Sequence, residues 1–277
     1  HRDHLEGVAY RMVGTVSEAK DRVQDAYLRW REVEHGEVND AKSYLTTIVT
    51  RLCIDHMRSA RVKREEYPGP WLPEPVAGDA FDAPDRPAEL TDSLSTAFLV
   101  LLETLNPVER AVYLLREVFD YEYDDIAEIV DKSVVNCRKI ASRARQRIEA
   151  EPDRFQASPE KQEALVREFM AAIDGEDMEG LLDILAEDIV LYSDGGGNAA
   201  HALDPIDGAM RVARFLIGIN QNAPAGLEVE ARTVNGRPGF VAYVDDRVHS
   251  VVSLRLSDEG VDNVYIVVNP EKLTHVQ

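Results

Sequence analysis

The stretch Asp131-Lys132-Ser133-Val134-Val135-Asn136-Cys137-Arg138-Lys139-Ile140-Ala141-Ser142-Arg143-Ala144-Arg145-Gln146-Arg147 decides how the centre of the chain is read. Val134, Cys137, Ile140, Ala141, Ala144 and Ile148 recur at three- and four-residue spacing, which predicts a helix with this stripe turned inward. Its other faces carry Arg138, Lys139, Arg143, Arg145 and Arg147, and no acidic residue lies between Ser133 and Arg147. A shorter pattern over about Asp124–Val130 predicts a preceding helix, joined through the turn Asp131-Lys132-Ser133. Two helices on so short a turn, the second basic outside, predict a helix-turn-helix. Such a second helix suits the DNA major groove, where its first turns meet base edges and its later cations meet phosphates. Ser133, Asn136, Arg138, Lys139 and Ser142 are the candidates at or near the bases, and Arg143, Arg145 and Arg147 those for phosphates. Composition alone fits a solvated basic face on a helical bundle equally well.

Upstream, Asn106-Pro107-Val108-Glu109 carries a helix start: Asn can accept orphan amide hydrogens, Pro suits the first helical position, and Glu at the third can reach back. Before it, Leu94, Ala97, Phe98, Leu101, Leu102 and Leu105 line one helix face, so residues 93–150 read as one helical module. Residues 67–92 do not propagate a helix, because Tyr67–Pro87 holds six prolines. This acidic linker contains Trp71-Leu72-Pro73-Glu74-Pro75, and Trp and Leu are unusual in a solvated linker, which points to docking. Residues 1–66 read as a helical bundle, with apolar stripes at Leu5, Val8, Ala9 and Met12, at Val23, Ala26, Tyr27 and Trp30, and at Ala41, Leu45, Ile48 and Leu52. On the helix Lys42–Met57, Tyr44, Thr46, Thr47, Thr50, Arg51, Asp55 and Arg58 occupy the remaining faces, and Arg61 follows in a basic run. Aromatic, hydroxyl and guanidinium groups of this kind can stack on and hydrogen-bond single-stranded bases.

A net charge of -20 over 277 residues looks wrong for a nucleic-acid binder until its distribution is considered. Residues 1–66 hold 12 basic and 12 acidic residues and 111–150 hold 7 and 8, whereas 151–277 hold 10 and 23. Acidity thus belongs mainly to the C-terminal part. Cys53 and Cys137 fall within helical patterns with no CxxC or paired His, which predicts core thiols, no metal and no disulfide. No apolar run approaches the roughly 18 residues of a membrane span. No apolar h-region follows the N-terminal His-Arg-Asp-His-Leu-Glu, so the expectation is a cytoplasmic protein with a trimmed start and no membrane partner.

After Glu151-Pro152 the pattern becomes helical near 159–173, 176–187 and 205–221, then alternating near 227–234, 238–244, 248–256 and 261–268. The expected class is multidomain, two all-α modules followed by an α+β domain over 151–277. Gly195-Gly196-Gly197 permits an anion nest or a close backbone approach, and no P-loop follows it. Contact with the Trp71–Pro75 linker is favoured over phosphate binding, with a mobile loop as an equal alternative. Tyr192, Asp194, His201 and His249 are the residues that could do acid–base chemistry, but no motif fixes their geometry. No catalytic residue and no cofactor is assigned.

Several of these segments resemble RNA polymerase sigma factors. Val23-Gln24-Asp25-Ala26-Tyr27-Leu28-Arg29-Trp30 is similar to the core-binding helix of sigma region two. Tyr44–Asp55 resembles the helix that melts and reads the minus-ten element, and Asn106–Val112 with Tyr123–Ala127 and Ser142–Arg145 resembles region four, which reads the minus-thirty-five element. Trp71-Leu72-Pro73-Glu74-Pro75, Asp194-Gly195-Gly196-Gly197 and Asn269-Pro270-Glu271-Lys272-Leu273 are similar to signatures of extracytoplasmic-function sigma factors with a SnoaL-like (NTF2-like) C-terminal extension. The resemblance implies core RNA polymerase and double- and single-stranded promoter DNA as partners, with control by the attached domain in place of a separate anti-sigma protein. It implies core-polymerase contacts at Asp21, Gln24, Asp25, Leu28 and Trp30. It implies regulatory contacts at Trp71, Leu72, Pro73, Asp194, Gly195, Gly196, Gly197, Asn198, Asn269, Pro270, Lys272 and Leu273. Two positions depart: Asn198 stands where the subgroup usually has Lys, and Asp131 where such turns often have Gly. The competing expectation is a helix-turn-helix regulator with a ligand-sensing or, as the lesser alternative, catalytic NTF2-like C-terminal domain, and an unidentified small molecule there is an open partner.

Overall fold

The computed structural model describes residues 1–33, 38, 40–65, 67–77, 93–149, 157–197 and 201–276. The chain forms two compact units. In the first, α1 (Arg2–Val13), α2 (Val16–Arg31) and α3 (Ala41–Glu65) pack on one another. α1 stops at Gly14, whose φ of 81° lets its N–H return to Tyr10 O. The expected stripe of Leu5, Val8, Ala9 and Met12 is buried, as are Val23 and Ala26. Tyr27, expected to face inward, is instead 58% exposed.

The interior face of α3 also differs from expectation. Val49, Cys53, Ile54 and Met57 are buried together with Thr46 and Thr50, while Leu45, Ile48 and Leu52 lie at partly covered positions. Threonine can enter such a face because its hydroxyl can return to the helix's own backbone: Thr46 Oγ1 donates to Lys42 O at 2.8 Å.

The same unit holds most of α4 (Thr96–Leu102), α5 (Pro107–Tyr113), which runs into a π-helical turn over Leu114–Val118, α6 (Tyr123–Val130) and α7 (Val134–Glu149). Asn106 forms the expected capping box, its side chain accepting from Val108 N and Glu109 N while Glu109 Oε2 accepts from Asn106 N. Arg110 is fully buried and ties α5 to α1 by donating to Arg11 O at 2.9 Å; it also pairs with Glu103.

In the second unit, α8 (Pro159–Asp174), α9 (Met178–Ile184) and α10 (Ala209–Gln221) accompany a six-stranded sheet. Its strands are β1 (Leu185–Asp194), β2 (Ile206–Asp207), β3 (Glu228–Val234), β4 (Arg237–Val244), β5 (Arg247–Ser257) and β6 (Gly260–Val267), in the order β2-β1-β6-β5-β4-β3. β1 pairs with β6 in parallel and the other neighbours are antiparallel. Phe169 of α8 stacks on Phe240 of β4, with centroids 6.0 Å apart, inside a core that includes Leu191, Leu216 and Val264.

This is the expected α+β class, with two local corrections. The helical pattern near 176–187 ends at Ile184 and β1 begins there, and the pattern near 205–221 becomes helical only at Ala209. β1 escaped the alternation test because Glu187 and Asp188 break its rhythm where its register against β6 shifts between Leu185 and Val190. The stretch from Tyr67 to Ala77 belongs to this second unit and reaches β3 through the bridge Ala77–Val234.

Candidate nucleic-acid interface and linker-binding site

On α7, Cys137, Ala141 and Ala144 are buried, which rotates Ser133, Asn136, Arg138, Lys139, Ser142, Arg143, Arg145 and Arg147 into exposed positions. Asn136 N donates to Ser133 Oγ at 3.3 Å in the helix's first turn. Three of the cations are tethered laterally: Arg138 lies 5.5 Å from the Tyr123 ring centroid, Arg145 pairs with Glu117 at 2.6 Å and Arg147 with Glu109 at 2.7 Å. Exposed pairs of this kind contribute little stability, so they orient the side chains without locking them away from a phosphate. Asp131 ends α6 at φ 53°, the left-handed conformation that accounts for glycine in such turns and that Asp tolerates better than most residues.

On α3 the expected single-strand-reading residues separate. Tyr44 packs against Trp30 with ring centroids 5.6 Å apart, and Thr47 donates to Ser43 O at 3.0 Å. Thr50 is fully buried, so in this arrangement it does not present its hydroxyl to a base. Thr46 is buried too, and accepts from the Tyr121 hydroxyl at 3.0 Å. Arg51 is exposed, yet its guanidinium donates to Ile129 O at 2.9 Å and Glu128 O at 2.7 Å at the C-terminal end of α6, where carbonyls lack helical partners. Asp55 and Arg58 pair with each other at 3.2 Å beside Asp131 and Lys132, while the side chain of Arg61 lies outside the described residues.

The residues implied in core-polymerase binding lie along α2. Asp21, Gln24 and Leu28 are exposed, and Asp25 and Trp30 are partly so. Leu28 at 49% and Tyr27 at 58% exposure add an apolar surface that the inward reading of Tyr27 missed.

In the second unit three sequence signatures converge on one carboxylate. Asp194, at the end of β1, has no exposed surface. Its Oδ2 accepts from Leu72 N at 2.8 Å and from Lys272 Nζ at 2.7 Å, and its Oδ1 accepts from the Tyr67 hydroxyl at 2.5 Å and Gly196 N at 3.1 Å. Lys272 Nζ also donates to Leu72 O at 2.6 Å and lies 4.1 Å from the Trp71 ring centroid. Trp71 and Leu72 are thus held by a buried cation that is neutralised by Asp194 and faced by an aromatic ring.

Asn269 Nδ2 donates to the Tyr67 hydroxyl at 2.9 Å, and Gly196 (φ 62°) sits so close to Asn269 that a Cβ there would strike its amide. Burial first, and then the bond to Asp194, pushes the Tyr67 hydroxyl well above the ordinary tyrosine range. Pro73, Gly195 and Leu273 are buried around this point, Pro270 is exposed, and Asn198 lies outside the described residues.

Further along, the linker is held by contacts that the sequence reading did not assign. Val76 N donates to Asn235 Oδ1 at 3.0 Å, and Asn235 N donates to Val76 O at 2.7 Å. Asn235-Gly236 reads as a hairpin turn, but nothing in that dipeptide signals a hold on a distant segment. Tyr67 was legible only as one more aromatic beside Trp71. The candidate acid–base residues fall in separate places: Asp194 faces the linker and Tyr192 stacks on Tyr265 with centroids 5.5 Å apart, whereas His201 and His249 line one cavity of the second unit. Among the described residues, no group of His, Cys, Asp and Glu could hold a metal ion, and no helix is long and apolar enough to cross a membrane.

Residues 1–62 match the family model for Sigma-70 region 2, and residues 95–148 match that for Sigma-70 region 4. The ECF RNA polymerase sigma factor SigJ of Mycobacterium tuberculosis is 33% identical over 287 residues, covering 99% of this chain and 91% of the relative. The chain belongs to the ECF RNA polymerase sigma factors. The probable ECF sigma factor SigI of the same organism is 30% identical over 280 residues, covering 99% of this chain and 92% of its own. The crystal structure of M. tuberculosis SigJ matches with a TM-score of 0.78 at 31% identity, covering 99% of this chain and 96% of that one. The match to the SigJ structure spans the α+β domain as well as the helical unit.

Proposed function

We propose that this sigma factor binds core RNA polymerase through α2, captures the single-stranded minus-ten region with α3, and docks the upstream promoter element with α7. Its α+β domain regulates initiation by holding the linker. The observation that carries this reading is the fully buried Asp194, which binds the linker at Leu72 N and Tyr67 while neutralising Lys272. A linker gripped along Tyr67–Ala77 has less freedom to let the minus-ten and upstream modules separate along a promoter. Arg51 supports a closed resting state of the helical unit, because the guanidinium that would face DNA is engaged by α6 carbonyls.

The domain boundaries in this reading are residues 1–66 for region two, 67–92 for the linker, 93–150 for region four and 151–277 for the SnoaL-like domain. That domain acts as a regulator and not as an enzyme, which fits the engagement of both Asp194 oxygens by linker, lysine and loop donors. The partners are core polymerase and promoter DNA, and the place of action is the cytoplasm.

Run-off transcription with core polymerase tests the proposal by comparing the full chain with Asp194→Asn on promoters selected from a genomic pool. Promoter-specific transcripts from the full chain, increased in the variant, are expected. Footprinting of the same DNA without core polymerase would replace this reading with an independent helix-turn-helix regulator. Equal transcription by both chains at all protein concentrations would remove the regulatory part.

A further inference from the structure

The second unit forms a half-open cavity of about 360 Å³ between α8, α10 and the sheet. That volume lies within the range of small-molecule sites. The stacked Phe169 and Phe240 contribute to its wall, and Ile219 and Val229 stand at 43% and 41% exposure among the lining residues. Hydrogen-bonding capacity comes from Ser193, Asn220, Ser250, His201 and His249, groups that can serve a hydroxyl or carbonyl. Among the described residues no Lys or Arg lines the cavity, and Asp174 supplies a negative charge, so a carboxylate or phosphate ligand would enter uncompensated.

The cavity is also connected to the linker site. Ser193 lines the cavity while its neighbour Asp194 holds the linker, as alternation along a strand requires. His201 belongs to both: it lines the cavity, and its Nε2 lies 3.4 Å from Pro68 O. Gly69, at φ 82°, approaches so closely that a Cβ there would meet His201 Nε2 at 2.9 Å.

We infer that this cavity binds a neutral, ring-based apolar molecule bearing a hydroxyl or carbonyl group, and that His201 transmits its occupancy to the Tyr67–Leu72 segment. The binding site stands independently; its regulatory consequence rests on the proposed role of the linker.

The test uses the full chain with two ring-matched probes, 9-fluorenol and fluorene-9-carboxylate, in titration calorimetry. Saturable one-site binding of 9-fluorenol is expected, with the carboxylate weaker by about tenfold or more. Ile219→Arg, at the exposed rim, should weaken 9-fluorenol by about tenfold while leaving the circular dichroism melt unchanged. No saturable binding of the neutral probe, or equal binding of both, overturns the site.

The relay is read from hydrogen exchange of the Leu72 amide, which donates to Asp194. 9-Fluorenol should change its rate by about threefold or more, and His201→Ala, which also removes one polar group of the site, should abolish that change even at saturating 9-fluorenol. Binding with no change at Leu72 overturns the relay. Asp194→Asn separates the two ideas: faster Leu72 exchange in this variant without any fluorenol binding defeats the cavity inference and spares the linker reading. Fluorenol binding alongside unaltered Leu72 exchange and transcription in Asp194→Asn supports the site and defeats the linker reading.

Discussion

Removing Lys272 and Asp194 from water carries a large desolvation penalty, and their contact at 2.7 Å offsets it only because Leu72 O, Tyr67 and Leu72 N fill the remaining hydrogen-bonding positions. Asp194→Asn leaves a buried cation without its counter-charge and is expected to cost about 3–5 kcal/mol, measured by urea unfolding of the full chain. Lys272→Met should cost a similar amount. The double variant should cost less than the two together, because each single change strands the other's charge. Tyr67 adds a pH dependence of definite sign. Its raised value means that the fold favours the protonated phenol, a contribution fully present below about pH 10 and lost as pH rises through the folded value. Tyrosinate absorbance should therefore lose its latest-titrating component in Tyr67→Phe. Cys53, pushed up to about 12 by burial, should remain unreactive to thiol reagents in the native protein at pH 8. At this scale Trp71, Leu72 and Asp194 were legible because apolar residues in a proline-rich linker and a glycine run after an aspartate are unusual, whereas Lys272 was marked only by the family resemblance of Asn269–Leu273. Tyr67 and Asn235 were not legible, because nothing in their local sequence marks a partner more than 120 positions away, and His201 was read only as an acid–base candidate and not as a contact of Pro68.

The exposed arc of α7 was legible from its apolar stripe, since burying Cys137, Ala141 and Ala144 leaves the basic residues outside. Arg143→Ala should weaken DNA binding of the polymerase-bound sigma factor nearly uniformly across promoters and lower the salt-dependence slope by about one. The turn before α7 offers a different test. Asp131 pays for a left-handed backbone at φ 53° and brings a negative charge to this end of the helix. Asp131→Gly should relieve strain by up to about 1 kcal/mol, read from thermal unfolding. Both Asp131→Gly and Asp131→Asn should tighten promoter binding, which separates the effect of charge from that of strain. α3 was harder to read, because its buried face contains Thr46 and Thr50 and so does not follow hydropathy. β1 was missed for a related reason, its acidic start interrupting the alternation that made β3 to β6 visible.

For the whole molecule, the change from helical to mixed periodicity after Glu151-Pro152 made the multidomain class legible, whereas the affiliation of the linker depended on contacts spread over 200 positions of chain. Residues from Tyr67 to Ala77 run without helix and still bury Leu72 to 1% and Glu74 to 2% exposure, with His275 3.6 Å from the Glu74 carboxylate. Segments of this composition are solvated when nothing covers them, so their order should depend on the α+β domain. Limited proteolysis makes this dependence measurable. Chymotrypsin is disfavoured after Tyr67 and Leu72, each followed by proline, which leaves Trp71–Leu72 as the informative bond. In the full chain that bond is protected by the Leu72 N–H contact to Asp194 and by Lys272 against the Trp71 ring. A chain ending at Glu149 should be cut there rapidly, and Asp194→Asn should be cut at an intermediate rate if it loosens the linker without releasing it. Equal protection in the chain ending at Glu149 would mean that the linker is ordered by something other than this domain, and regulation through Asp194 would lose its physical basis.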